Sequence, residues 1–129
     1  MKTNLKLALT GLAGVLIGIA ASRAIHSQQV KAPPAYVIAE VEVIDPTNLG
    51  RYAEKVPETL APFNSHYLIR GGKSQPLEGE PPKVIVVIAF DSAEKAREWY
   101  DSPAYAAIRP FRQSSTKSRL FIVEGEAPQ

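Results

Sequence analysis

Over residues 36–125, runs of alternating apolar residues and runs of helically spaced apolar residues follow one another as strand, helix, strand, strand, helix, strand. Few folds accommodate that order. Residues 36–44 alternate, with Val37, Ala39, Val41 and Val43 facing one way and Tyr36, Ile38, Glu40 and Glu42 the other. Asp45-Pro46 supplies an N-cap and a first-turn proline. Leu49, Tyr52, Val56, Leu60 and Phe63 then recur at helical spacing, and Pro57 is expected to kink or split that helix. Residues 66–70 read as a second strand, with His66, Leu68 and Arg70 on one side and Tyr67 and Ile69 on the other. Residues 71–82 form a long Pro/Gly-rich loop. Residues 84–90, rich in β-branched side chains, read as a central strand buried on both faces. Asp91-Ser92 caps a helix whose apolar stripe is Ala93, Ala96, Trp99 and Tyr100. Ser102-Pro103 restarts a helical turn carrying Tyr105, Ile108 and Phe111, residues 119–124 alternate as a last strand, and Gly125 closes the domain.

With right-handed crossovers this order predicts an α+β fold: a ferredoxin-like βαββαβ domain, its four-stranded antiparallel sheet covered by helices on one face. The other face stays open. A domain this small buries only roughly 60% of the surface its unfolded chain exposes. Packing two open faces together relieves both problems, so a homodimer is expected.

The charge balance points away from nucleic acid. The chain of 129 residues carries a formal net charge of +2, with fifteen Lys/Arg and thirteen Asp/Glu. Setting aside Lys2, Lys6 and Arg23 leaves twelve Lys/Arg against the same thirteen acids, so the remainder is nearly neutral. The first residues read as a leader: Lys2 and Lys6, then an uncharged run from Leu7 to Ser22 with small residues Ala20-Ala21-Ser22 at its end. The expected organisation is a signal peptide or N-terminal anchor over 1–24, a linker over 25–35, the domain over 36–125 and a tail over 126–129. The expected location is periplasmic or secreted, the alternative being a domain tethered to the inner membrane by an uncleaved segment. There is no cysteine, so disulfides, thiolate sites and lipoprotein attachment are excluded.

Several spaced motifs carry a resemblance. Ala39-Glu40-Val41-Glu42-Val43 with Asp45, Arg70-Gly71-Gly72, Leu77-Glu78-Gly79, Ala96 with Trp99-Tyr100, Ser102-Pro103 with Tyr105, Arg109 and Arg112, and Val123-Glu124-Gly125 occur in order. The domain resembles the bacterial domain of unknown function 1330 family, within the dimeric α+β barrel superfamily. Where members often carry Gly-Gly before the second strand, this chain has Asn64-Ser65. The resemblance implies the fold and a dimer, and it implies no activity for the family. For the superfamily it implies small organic acids or enolisable aromatics, handled without a tightly bound cofactor.

His66 is the only histidine after the leader and linker, so a His-pair metal site is not available and no metal or cofactor is expected. The chain has neither P-loop spacing nor a Gly-x-Ser-x-Gly elbow. His66 is the candidate base, its bland counterpart being a half-exposed histidine at a strand edge. Arg70, two residues along, is the candidate anchor for a carboxylate or enolate, or else a structural partner of Glu40 or Glu42. Glu40 either enters a cavity or borders water. Arg109 belongs to a basic stretch with Arg112, Lys117 and Arg119 that either binds an anion or is solvated. Trp99 and Tyr105 are core aromatics or line a ligand cleft. Two functions therefore stand: binding or transformation of a small organic acid or aromatic, with His66 as base and Arg70 and Arg109 stabilising charge, or a non-catalytic ligand-binding or stress-related periplasmic dimer.

Overall fold

The computed structural model of the chain describes residues 31–129. The segment read as signal peptide or anchor, and most of the linker after it, lie outside the described residues. In chain order the elements are β1 (Ala35–Val43), α1 (Pro46–Leu60), a 3-10 turn (Ala61–Phe63), β2 (His66–Arg70), β3 (Val84–Phe90), α2 (Ala93–Asp101), α3 (Pro103–Ser115) and β4 (Thr116–Glu124). All strand pairings are antiparallel and the sheet runs β2-β3-β1-β4, the ferredoxin-like α+β arrangement expected.

The alternation of β1 sends Val37, Ala39 and Val41 toward the helices, where all three are buried. Val56 and Leu60 of α1, Ala96 and Trp99 of α2, and Tyr105 and Ile108 of α3 close over Val37, Ile88 and Phe90. Trp99 sits at the centre, its ring 4.1 Å from Tyr105 and 5.5 Å from Phe90. Its indole N–H donates to Thr59 Oγ1 at 3.0 Å, and the Thr59 hydroxyl in turn donates to the Val56 carbonyl at 2.7 Å. The largest apolar side chain is thereby buried with its one polar atom satisfied.

Helix ends follow local chemistry. Asp45 caps α1 by accepting from the amides of Thr47 and Asn48, and the Ile44 and Asp45 amides donate to the Ser115 carbonyl, tying the start of α1 to the end of α3. The Ser102 hydroxyl donates to the Trp99 carbonyl at 2.7 Å and accepts from the Tyr105 amide, ending α2 and starting α3 within one residue. After Ser102 the chain forms a full 13-residue helix rather than a single turn.

Four expectations are corrected. Helix α1 runs on through Pro57 and is not split there. A proline at position 57 leaves the Ala53 carbonyl without its helical donor. Arg70 supplies one instead, from Nη2 at 3.1 Å. The buried stripe of α3 runs Tyr105, Ile108, Arg112, Ser115, while Phe111 is 39% exposed. Strand β3 is covered on its helix side only, so Ile85, Val87 and Ala89 are half-buried on the open face with Tyr36 and Ile38.

The fourth concerns β2. Its register pairs His66 with Ala89 and Tyr67 with Ile88, then shifts, pairing Ile69 with Val87 and Arg70 with Val86. Leu68 is the extra residue of a bulge, and one inserted residue reverses the alternation beyond it. His66 therefore lies on the open face, whereas Tyr67 and Arg70 both face the helices. Just upstream, Asn64 adopts φ 50 to close the turn before β2, a left-handed conformation that asparagine tolerates in place of glycine.

Candidate functional site

A cavity of about 180 Å³ opens between α1 and the helix-side face of the sheet. Its floor is apolar: Ala39 and Val41 from β1, Val84 and Val86 from β3, and Leu120 from β4. Leu49, Tyr52 and Ala53 of α1 form the roof. Tyr67 and Arg70 from β2 stand on one side, with Gly71, and Arg112 reaches in from α3. Gly71 takes φ 69, which turns the chain out of β2 directly behind Arg70 while its amide donates to the Ile85 carbonyl at 2.9 Å.

The polar groups are unusual for so apolar a setting. Arg112 is 7% exposed. Its Nε donates to the Tyr105 hydroxyl at 3.3 Å and its Nη1 to Ser118 Oγ at 2.7 Å. Among the described residues no carboxylate pairs with Arg112 or with Arg70. A buried cation without a counter-charge is costly unless its donors are used. Arg70 is exposed at the cavity mouth, stacked 4.7 Å from the centre of the Tyr67 ring and held to the Ala53 carbonyl. The Tyr52 and Tyr105 hydroxyls lie 2.9 Å apart. Burial above all pushes the Tyr52 phenol well above the usual tyrosine range, and burial also raises Tyr67, against the opposing pull of Arg70. Both phenols are therefore neutral at ordinary pH.

A wider groove of about 610 Å³ runs along the polar end of the sheet past Glu40, Glu42, Glu80, Lys83, Lys117 and Arg119. Its three carboxylates and three cations balance in number, and one ion pair is formed. Arg119 donates from Nε to Glu40 Oε2 at 2.7 Å, and Lys117 lies directly across from Glu42 in the strand register. The smaller cavity, with its unmatched cations and apolar floor, is the better site.

Of the residues singled out from sequence, Arg70 lines this cavity and Tyr105 stands behind it, wholly buried, joined to it through its hydroxyl. The others lie elsewhere. His66 is exposed on the opposite sheet face, so the expected His66–Arg70 pair does not form. Glu40 is on that open face too and pairs with Arg119, not Arg70. Trp99 is core. Arg109 lies at the corner of α2 and α3, donating from Nη2 to the Tyr100 carbonyl and stacking 4.2 Å from the centre of the Tyr100 ring. There it satisfies a C-terminal carbonyl of α2. Among the described residues no group of three His, Cys, Asp or Glu stands ready to hold a metal.

Sequence reasoning named Arg112 only within the basic stretch of Arg109, Arg112, Lys117 and Arg119, as anion-binding or solvated, and passed over Tyr52 and Tyr67 as site residues. The spacing Tyr105, Ile108, Arg112 held a usable signal, an arginine at positions i+4 and i+7 of an apolar stripe. Tyr52 carried none beyond its place on the apolar face of α1.

The family model described as Domain of unknown function (DUF1330) matches residues 34–126. No curated protein matches the chain. Among solved structures, a protein of unknown function from Rhodopseudomonas palustris is similar, with a TM-score of 0.61 and 16% identity over 84% of this chain and 94% of that one. A dimeric ferredoxin-like protein of unknown function from Thermobifida fusca gives 0.52 and 14%, covering 75% of this chain and 95% of that one. SnoaB, a cofactor-independent oxygenase from Streptomyces nogalater, gives 0.50 and 9%, covering 75% and 97%. At these identities the likeness is one of fold.

Proposed function

We propose that this chain, which belongs to the DUF1330 family, is an exported homodimeric domain that binds a small organic anion with an apolar or aromatic body in the cavity beneath α1, without a tight cofactor. The observation that carries the reading is Arg112, buried at the cavity wall with no carboxylate partner among the described residues. An anionic ligand supplies the missing charge, and the floor of Ala39, Val41, Val84, Val86 and Leu120 receives its body. Binding is favoured over turnover because His66, the one described histidine, faces away from the cavity. Export rests on the leader residues Lys2, Lys6 and Ala20-Ala21-Ser22. The homodimer rests on the half-buried apolar open face and on the dimeric ferredoxin-like neighbour.

A thermal-shift screen of the purified chain tests the binding reading. Small monocarboxylates are expected to raise the melting temperature, and their neutral amides are not. Equal shifts from both, or none from either, would refute it. Export is checked by fractionating a Gram-negative host and measuring intact mass: a periplasmic species lacking the first twenty-odd residues is expected, and an uncut cytosolic chain counts against it.

A further inference from the structure

Resting on the reading of this cavity as an anion site, we propose that the Tyr52 hydroxyl contacts the ligand as a donor, oriented by Arg112 through Tyr105, and that the cavity selects a monocarboxylate built on a single ring or a chain of similar size. The direction follows from hydrogen counting. Tyr105 is wholly buried, and its oxygen accepts from Arg112 Nε. An arginine cannot accept, so the one hydrogen on the Tyr105 hydroxyl must go elsewhere. Its other partner is the Tyr52 oxygen, 2.9 Å away. The chain of donation therefore runs Arg112 to Tyr105 to Tyr52, which leaves the Tyr52 hydrogen unclaimed at the cavity wall.

That wall is donor-rich. Arg70 and Arg112 offer only N–H groups, and Tyr52 has its oxygen occupied and its O–H free. The Tyr52 phenol stays neutral because burial disfavours its charged form. An oxygen that accepts without donating fits such a wall, and a carboxylate presents two. Size and floor narrow the class further. A dry cavity of roughly 150 Å³ holds a benzene ring. At about 180 Å³ this one accommodates one ring with its carboxylate. A second carboxylate, or a phosphate's outer oxygens, would lie against Val41, Val84 and Val86 with nothing to pair.

Calorimetric titration of the purified full chain with benzoate, cyclohexanecarboxylate, benzamide and inorganic phosphate reads this out. Benzoate and cyclohexanecarboxylate are expected to bind, and benzamide at least about ten-fold more weakly because its N–H₂ meets donors. Tyr52→Phe should weaken benzoate about ten-fold and benzamide by less, because the amide carbonyl is a neutral acceptor. Tyr105→Phe should do the same although Tyr105 never touches the ligand, and the double variant should be no weaker than Tyr52→Phe alone. If Tyr105→Phe fails to fold by circular dichroism, Tyr52→Phe and its benzoate-to-benzamide ratio decide alone. Benzoate binding that survives Tyr52→Phe, or two losses that simply add, overturns the relay while leaving the anion site standing. Wild-type protein that binds no carboxylate, or prefers phosphate, overturns the ligand class; failure of every anion removes the site as well.

Discussion

Arg70 occupies the hydrogen-bonding position that Pro57 vacates: the Ala53 carbonyl, which position 57 would bond in an ordinary helix, accepts from Arg70 Nη2 at 3.1 Å. A backbone defect on α1 thus holds a cation at the mouth of the cavity. Pro57→Ala restores the helical donor and a better helix former. It is expected to stabilise the protein by about 1 kcal/mol or more, and Arg70→Ala should cost less in that background than in the wild type. Urea denaturation of the four proteins checks both, and equal costs in the two backgrounds would show that Arg70 and the carbonyl are not coupled.

Arg112→Met separates stability from function. Replacing a buried charge by an apolar side chain of similar length is often neutral or stabilising. The variant is expected to melt no lower than wild type yet to lose carboxylate binding. A large drop in melting temperature would instead make Arg112 a structural residue.

Thr59→Val tests the burial of Trp99. The change keeps shape but leaves the indole N–H unpaired in the core. A loss of about 1–3 kcal/mol is expected in chemical denaturation, because that is the cost of an unsatisfied buried donor. Loss below that range would mean the indole finds another acceptor.

Alkaline pH should unfold the protein through its phenols. Burial holds Tyr52 and Tyr67 protonated in the fold above the ordinary value of 10.0. Above that value the unfolded chain releases these protons and the native state keeps them, so stability is fully present below it and falls as pH rises beyond it. Tyr52→Phe removes part of that dependence. Stability profiles between neutral and strongly alkaline pH, compared for both proteins, give the difference directly.

The open sheet face predicts association. Phe121, Val123 and Ile69 are each about two-fifths exposed there, at 42%, 41% and 44%. Light scattering is expected to give twice the chain mass, and Phe121→Glu to give the monomer by burying a charge in the interface. A folded wild-type monomer at micromolar concentration would remove this reading.

Elements and their order were legible because their signals are local. Asp45-Pro46, Asp91-Ser92 and Ser102-Pro103 each act on amides within a turn, and the period-2 and helical patterns need no partner to be seen. The site was legible only in part. Arg70 was visible as a basic residue on a strand, but its companion was misassigned: counting by twos joined it to His66, and the bulge at Leu68 set it beside Tyr67 instead.

By itself the sequence determined the α+β order, the capped helix starts and the apolar faces that build the core around Trp99. Tertiary structure alone decided which polar groups meet. Tyr52 and Tyr105 are 53 residues apart, Glu40 and Arg119 are 79, and Arg112 gains its setting only when α3 lies against β4 and α1. Periodicity reports how a residue faces relative to its neighbours in the chain, whereas a cavity depends on what another element brings opposite, and one inserted strand residue is enough to change that.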